Sequence, residues 1–172
     1  HSEVISLFVS GVQILPFYRG YWSEAWSGKS AADRMRFVEA ILNYNVSRPV
    51  LISGDVHWGE QMRYNCKRKN SRVSEAEYRS LYEITSSGLT HSWAYTYPSY
   101  WTWLKNIAHA WSADGATLGL TNDLNFGEIE VLYKESGIDA LYLRVYGLNG
   151  VQLEVDLMQQ QYQVIDERGK QV

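Results

Sequence analysis

Asp55 and His57 stand two residues apart directly behind Val50-Leu51-Ile52, a short apolar run bounded by Pro49 and Gly54. Such a β-branched run between turn formers reads as a buried strand. Strands buried on both faces belong to sheets that are covered by helices. The pair therefore leaves the carboxyl end of a strand, the edge at which open α/β sheets bind ligands over a rigid floor. Gly54 permits a tight turn and a close backbone approach at that point. A carboxylate and an imidazole are both good ligands for a hard or borderline metal ion, so the pattern points to a metal site. The plainer alternative is a capping Asp followed by a packed His. The Gly-flanked turn, and Glu60 three residues beyond the His, favour the metal.

Two other stretches carry groups capable of chemistry. Ser86-Ser87-Gly88 with His91 lines a site or simply satisfies turn backbone. An acyl hydrolase built on Ser86 or Ser87 with His91 would lack both a Gly-x-Ser-x-Gly elbow and a placed acidic partner. Residues 92–111 hold Trp93, Tyr95, Tyr97, Tyr100, Trp101, Trp103 and Trp111. Aromatic side chains of this kind stack on a base or a sugar, or pack a lid against the domain body; packing is the favoured reading.

These groups need elements to hold them. Val4 to Val9 is a strand, continued or bent through Gly11 to Leu15 and stopped by Pro16. The aromatic, Gly- and Ser-rich segment 17–30 suits a loop over a pocket. Ser30 is a good N-cap with Asp33 in the first turn. Met35, Val38, Ile41 and Leu42 recur at helical spacing, which predicts a helix over 31–45. With the strand at 50–53 this makes a strand–helix–strand unit, by default parallel with a right-handed crossover. Gln61 to Cys66 is a short segment leading into a polar loop over 67–77. Leu81 to Thr85 is a strand, and Trp101 to Trp111 can form a helix. Ile129–Val131, Leu141–Val145 and Val151–Leu157 form an antiparallel meander. Gly137 marks one of its turns, and Leu148-Asn149-Gly150 marks a hairpin expected to be type I′. Alternation from Val151 to Met158 buries one face of the last run and wets the other. Residues 158–172 read as a tail. The fold class is α/β with a mixed sheet, and residues 1–172 form a single domain fragment.

At 172 residues the chain is long enough for one domain with a real core, and 45% hydrophobic with 20% charged residues is ordinary for a globular protein. A net charge of −3 with no sizeable basic block disfavours a nucleic-acid partner. The single cysteine, Cys66, excludes an internal disulfide and a Cys-rich zinc module. No apolar run is long enough to cross a membrane. The chain opens His1-Ser2-Glu3-Val4, with neither a Met nor a signal peptide, and reads as an internal fragment.

The stretch Ser53-Gly54-Asp55-Val56-His57-Trp58-Gly59-Glu60 resembles the histidine-containing metal motif of the alkaline phosphatase D (PhoD-like) metallophosphatases. In the wider calcineurin-like superfamily that motif is usually Gly-His-x-His; PhoD-like proteins carry Asp in place of the first His, as Asp55 stands here. Phe8 to Pro16, Tyr82 to Ser92 and Asn125 to Glu130 resemble further stretches of the same family, in the family's order. The resemblance implies the C-terminal part of a four-layer α/β/β/α sandwich. It implies hydrolysis of a small-molecule phosphate monoester or diester at a dinuclear site, where two cations clamp the phosphoryl group and activate a water. Asp55 and His57 would be ligands. Glu60 is the candidate to accept a hydrogen bond from the far ring nitrogen of His57, and Gln13, His91 and Asn125 are weaker candidates for the cleft. Iron, calcium, zinc and manganese are the metals used by such proteins. The family's first metal motifs lie in an N-terminal half that would be the missing partner of this chain. The rival expectation is a phosphatase-like domain without turnover, serving as a binding or scaffolding module.

Overall fold

Val50 to Ser53 is the middle of a parallel trio. In the computed structural model, which describes residues 4–16, 25–26, 30–67, 78–96, 99–100, 117–159 and 161–164, β1 (Ser6–Val9) and β2 (Pro49–Ser53) pair in parallel, with Leu7 opposite Val50. On its other side β2 runs parallel to β4 (Tyr78–Ser86), with Ile52 opposite Ile84. β3 (Gly59–Lys67) is antiparallel both to β4 and to β5 (Thr117–Thr121), which completes a five-stranded mixed sheet in the order β1-β2-β4-β3-β5. A second sheet is wholly antiparallel, in the order β6 (Phe126–Lys134), β7 (Gly137–Gly147), β8 (Gly150–Asp156) and β9 (Gln161–Val164). The fold class is thus mixed α/β, with strands predominating.

The period of two along a strand assigns each side chain to one of two cores. Leu51, Leu81, Met62 and Cys66 point to one face of the mixed sheet, where they meet Ile14, Leu15, Val38 and Ile41. The last two belong to α1 (Ala31–Asn43), which covers this face. Val50, Tyr82 and Ile84 point the other way, against Leu141, Leu143, Val145, Leu153 and Val155 of the second sheet. Helix, mixed sheet and antiparallel sheet are therefore stacked in that order. Full burial of each such aliphatic side chain contributes about 1.5–3 kcal/mol.

Several expectations need correcting. Within α1 Met35 is 45% exposed, and the buried face is Arg34, Val38 and Ile41 instead. Arg34 is buried because its Nε donates to Ile14 O (2.7 Å) and an η-nitrogen to Leu15 O (2.6 Å), so a guanidinium occupies a position that periodicity assigns to an apolar side chain. Ser30 precedes α1 but makes no side-chain capping bond. The helix ends at Asn43 because Asn45 turns to φ 49, Val46 N–H donates to Ile41 O and Asn45 N–H to Leu42 O, the paired bonds of a Schellman ending. Gln61 to Cys66 lies within a nine-residue strand, and Gln161 to Val164 pairs with β8 where a tail was expected. The hairpin at 147–150 is not type I′. Gly147 faces Gly150, only Gly150 has positive φ (103), and the register slips between Val145 and Tyr146. That combination is a type I turn with a glycine bulge, and Gly137 (φ 118) repeats it between β6 and β7. The helix expected over 101–111 lies outside the described residues.

Candidate metal centre at the carboxyl edge

β1, β2 and β4 all point their carboxyl ends at one edge of the mixed sheet, and their following turns lie side by side. A Cβ placed on Gly54 would rest 3.7 Å from Ser87 and 3.8 Å from Gly11 O, so the turn after β2 sits between those after β1 and β4. Ser10 N–H donates to Ile52 O at 2.9 Å, which ties the first turn to β2.

Asp55 and His57 both project from the middle turn and both are exposed. Their backbones are left-handed, with φ 71 at Asp55 and φ 60 at His57. For residues that carry a Cβ this conformation costs on the order of 1–2 kcal/mol each, and such strain collects at functional sites. The turn is held by bonds to its neighbours. His57 N–H donates to Ser87 Oγ (2.8 Å), Trp93 N–H to His57 O (3.1 Å) and the Trp93 indole to Val56 O (3.0 Å). Trp93 opens α2 (Trp93–Thr96), a single turn of helix, and its ring lies 6.2 Å from that of Trp58. The same arrangement brings the exposed His91 ring to 6.3 Å from that of His57, tilted by 45°. Asp55, His57 and His91 thus share one edge.

The other candidates are buried supports. Glu60 is fully buried, and it accepts from Trp58 Nε1 (3.0 Å), Gln13 Nε2 (2.8 Å) and Thr117 Oγ1 (2.6 Å). Its bonds therefore run to the residue after His57, to the loop after β1 and to β5. Gln13 also donates to Thr85 Oγ1 (3.0 Å), which meets Ser53 Oγ at 2.7 Å. The Glu60 carboxylate determines which end of the Gln13 amide faces it, and the amide oxygen is left buried with no partner among the described residues. Asn125 is 3% exposed, accepts from Ser86 Oγ (3.0 Å) and donates to Asp123 O (2.7 Å). It packs so closely on Gly88 that a Cβ there would collide with its amide. Asn125 therefore joins the second sheet to the turn after β4.

Glu83 was not expected here. It is fully buried and accepts from Ile14 N–H (2.9 Å) and Leu15 N–H (2.6 Å), while Arg34 takes the two carbonyls of the same residues. The segment following β1 is thereby gripped from β4 and from α1 at once. Burial pushes the Glu83 carboxyl up to about 6, against the opposing pull of the Ser53 hydroxyl and the two backbone donors.

The donor chemistry of Asp55, His57 and His91 suits a hard or borderline cation. Among the described residues, however, no group of three or more His, Cys, Asp or Glu side chains is close enough to hold an ion. The edge does not form a serine hydrolase constellation: Ser86 Oγ is bonded to Asn125, Ser87 Oγ to the His57 backbone, and His91 Nδ1 lies 3.3 Å from Thr90 Oγ1. No helix among the described residues is long and apolar enough to cross a membrane. No protein-family model, curated protein or solved structure compared with this chain matches it.

Proposed function

We propose that the chain is the C-terminal part of a metal-dependent phosphoric ester hydrolase of the alkaline phosphatase D type, built as a four-layer α/β/β/α sandwich. The observation that carries this reading is the strained turn of Asp55 and His57, fixed at the carboxyl edge of three parallel strands with His91 beside it. A polypeptide that holds two exposed side chains at positive φ within three residues, and fixes their turn by hydrogen bonds with Ser87 and Trp93, supports a role for them other than packing. Asp55 and His57 would hold an iron, calcium, zinc or manganese ion, and the remaining ligands would come from outside this chain. The bound metals supply charge to clamp the phosphoryl group and lower the pKa of a water. The chain's own part is positional. Ser87 and Trp93 set the His57 backbone, Trp58 is anchored on Glu60, and Gln13 links Glu60 to the turn after β1.

The test is His57→Ala in the full-length protein, scored for metal content and for hydrolysis of a generic phosphate ester. Both should fall together, by about 10-fold or more, since losing even a ligand's supporting group costs about 10–100-fold. Undiminished metal and activity in a folded variant would remove His57 from the site. Metal bound without hydrolysis in the wild type would support the phosphatase-like binding module instead.

A further inference from the structure

Between the two sheets, under the turns just described, lies a cavity of about 330 Å³. Its walls are Ile52, Ile84 and Ile129, and Leu89 and Phe126 stand at its side. Leu89 is 69% exposed and Phe126 50% exposed. Large apolar side chains left open to water beside an apolar hollow are unfavourable unless something covers them. The polar groups around it are already engaged: Ser86 with Asn125, and Glu128 with Arg144 and Tyr146. The cavity therefore offers contact area, with few unsatisfied hydrogen-bonding groups to recognise a polar ligand.

Its roof is continuous with the candidate metal centre. Ser53 lines the cavity two residues before Asp55, Ser86 lines it beside the Ser87 that holds His57, and Leu89 lines it two residues before His91. A ligand with one end at the Asp55–His57 turn has this hollow beside it for its other end. The volume is at the lower end of the range for small-molecule sites, about 300–1,000 Å³. Gly127 lines the same space, and a Cβ there would come within 3.1 Å of Ser86 and 3.4 Å of Ile84. A side chain at that position would crowd the cavity.

We infer that this cavity receives the organic group of the substrate, and that the substrate is a phosphate ester of an aryl or other apolar alcohol. This rests on the phosphoesterase reading for the phosphate end, but the cavity itself can be probed without turnover. The experiment uses the full-length protein and 1-naphthyl phosphate, with binding followed by naphthyl fluorescence and hydrolysis by release of inorganic phosphate. Ile129→Trp should fill the cavity, and Leu89→Ser should remove one apolar side while leaving the core alone. Each should weaken naphthyl phosphate binding, by about tenfold and about threefold respectively. Each should also lower the kcat/KM ratio of naphthyl phosphate to glycerol phosphate by a similar factor. If neither variant changes naphthyl binding or that ratio, the cavity assignment is overturned even where His57→Ala abolishes hydrolysis. If the wild-type protein releases no phosphate, the phosphoesterase reading fails, and the binding arm still decides the cavity. Should Ile129→Trp fail to fold, Leu89→Ser alone settles the matter, because its side chain is exposed.

Discussion

At the scale of single residues, His57 combines an exposed ring with a left-handed backbone. If the ring exists for a ligand, the fold should be better off without the Cβ. His57→Gly is therefore expected to keep or slightly raise the melting temperature, since relief of the strain and the entropy cost of Gly, each about 1 kcal/mol, oppose one another. A clear loss of stability by thermal denaturation would show that the ring packs. Glu83 gives a pH prediction. Its carboxyl is raised from 4.5 to about 6 by burial, so the folded state binds this proton more tightly than the unfolded chain. The contribution of this group to stability is greatest below pH 4.5 and is lost as pH rises through about 6, by roughly 2 kcal/mol at 1.36 kcal/mol per unit. Glu83→Gln should flatten that part of a stability–pH curve; an unchanged slope would assign it to other groups. The sequence could not reveal Glu83 as buried. Leu81 and Glu83 lie on one face of β4, and nothing local says that the backbone of Ile14 and Leu15, some seventy residues earlier, will satisfy the carboxylate.

At the scale of elements, the parallel pair, the helix and the meander were legible because each carries its own period. β2 was bounded by Pro49 and Gly54, α1 by its recurrence of apolar residues, and β7 and β8 by alternation. β3 was not legible: Glu60, Gln61, Arg63 and Asn65 are polar, and what recruits them is pairing with β4 and β5 across the sheet. Gln61 donates to Leu143 O at 2.7 Å, so its burial is a tertiary effect. Arg34 is the same kind of case within a helix. Arg34→Met is expected to cost about 1–3 kcal/mol, because the carbonyls of Ile14 and Leu15 lose a buried donor; urea denaturation would measure it. The second hairpin was placed correctly and its turn type was not, since Leu148 and Asn149 stay at negative φ and only Gly150 crosses over. Gly150→Val should still destabilise the protein by more than about 1 kcal/mol, whereas Asn149→Ala should be near neutral. Equal effects of the two substitutions on thermal unfolding would contradict the glycine bulge.

At the scale of the whole molecule, the two sheets leave four edge strands among the described residues, β1 and β5 in the mixed sheet and β6 and β9 in the antiparallel one. β1 exposes Leu7 (52%) and Val9 (78%), and β6 exposes Leu132 (41%) and Tyr133 (65%). Unpaired edges with apolar side chains template association with other strands. On the proposed reading, residues 1–172 produced alone should bind metal weakly, because two or three donors leave a hard cation mostly hydrated. They should also aggregate. Co-production with the N-terminal half should correct both defects, and Val9→Lys should reduce aggregation of the isolated chain in size-exclusion chromatography. An isolated chain that is monodisperse and metal-loaded would contradict the incomplete site. The edge that carries Asp55, His57 and His91 was legible from a motif and a strand, and Glu60 and Gln13 were legible as candidates; their bonds to each other and to Thr117 were not, because these residues come together only in three dimensions.

On the proposed reading, Asp55 and His57 bind metal. The most direct test is a crystal structure of the full-length protein grown with iron, calcium, zinc or manganese, with anomalous scattering used to place the ion. A metal peak is expected within about 2.0–2.6 Å of a His57 ring nitrogen and an Asp55 carboxylate oxygen, the range of coordination distances for such ligands. A fully loaded ion bound elsewhere, with the His57 ring left in solvent, would contradict it.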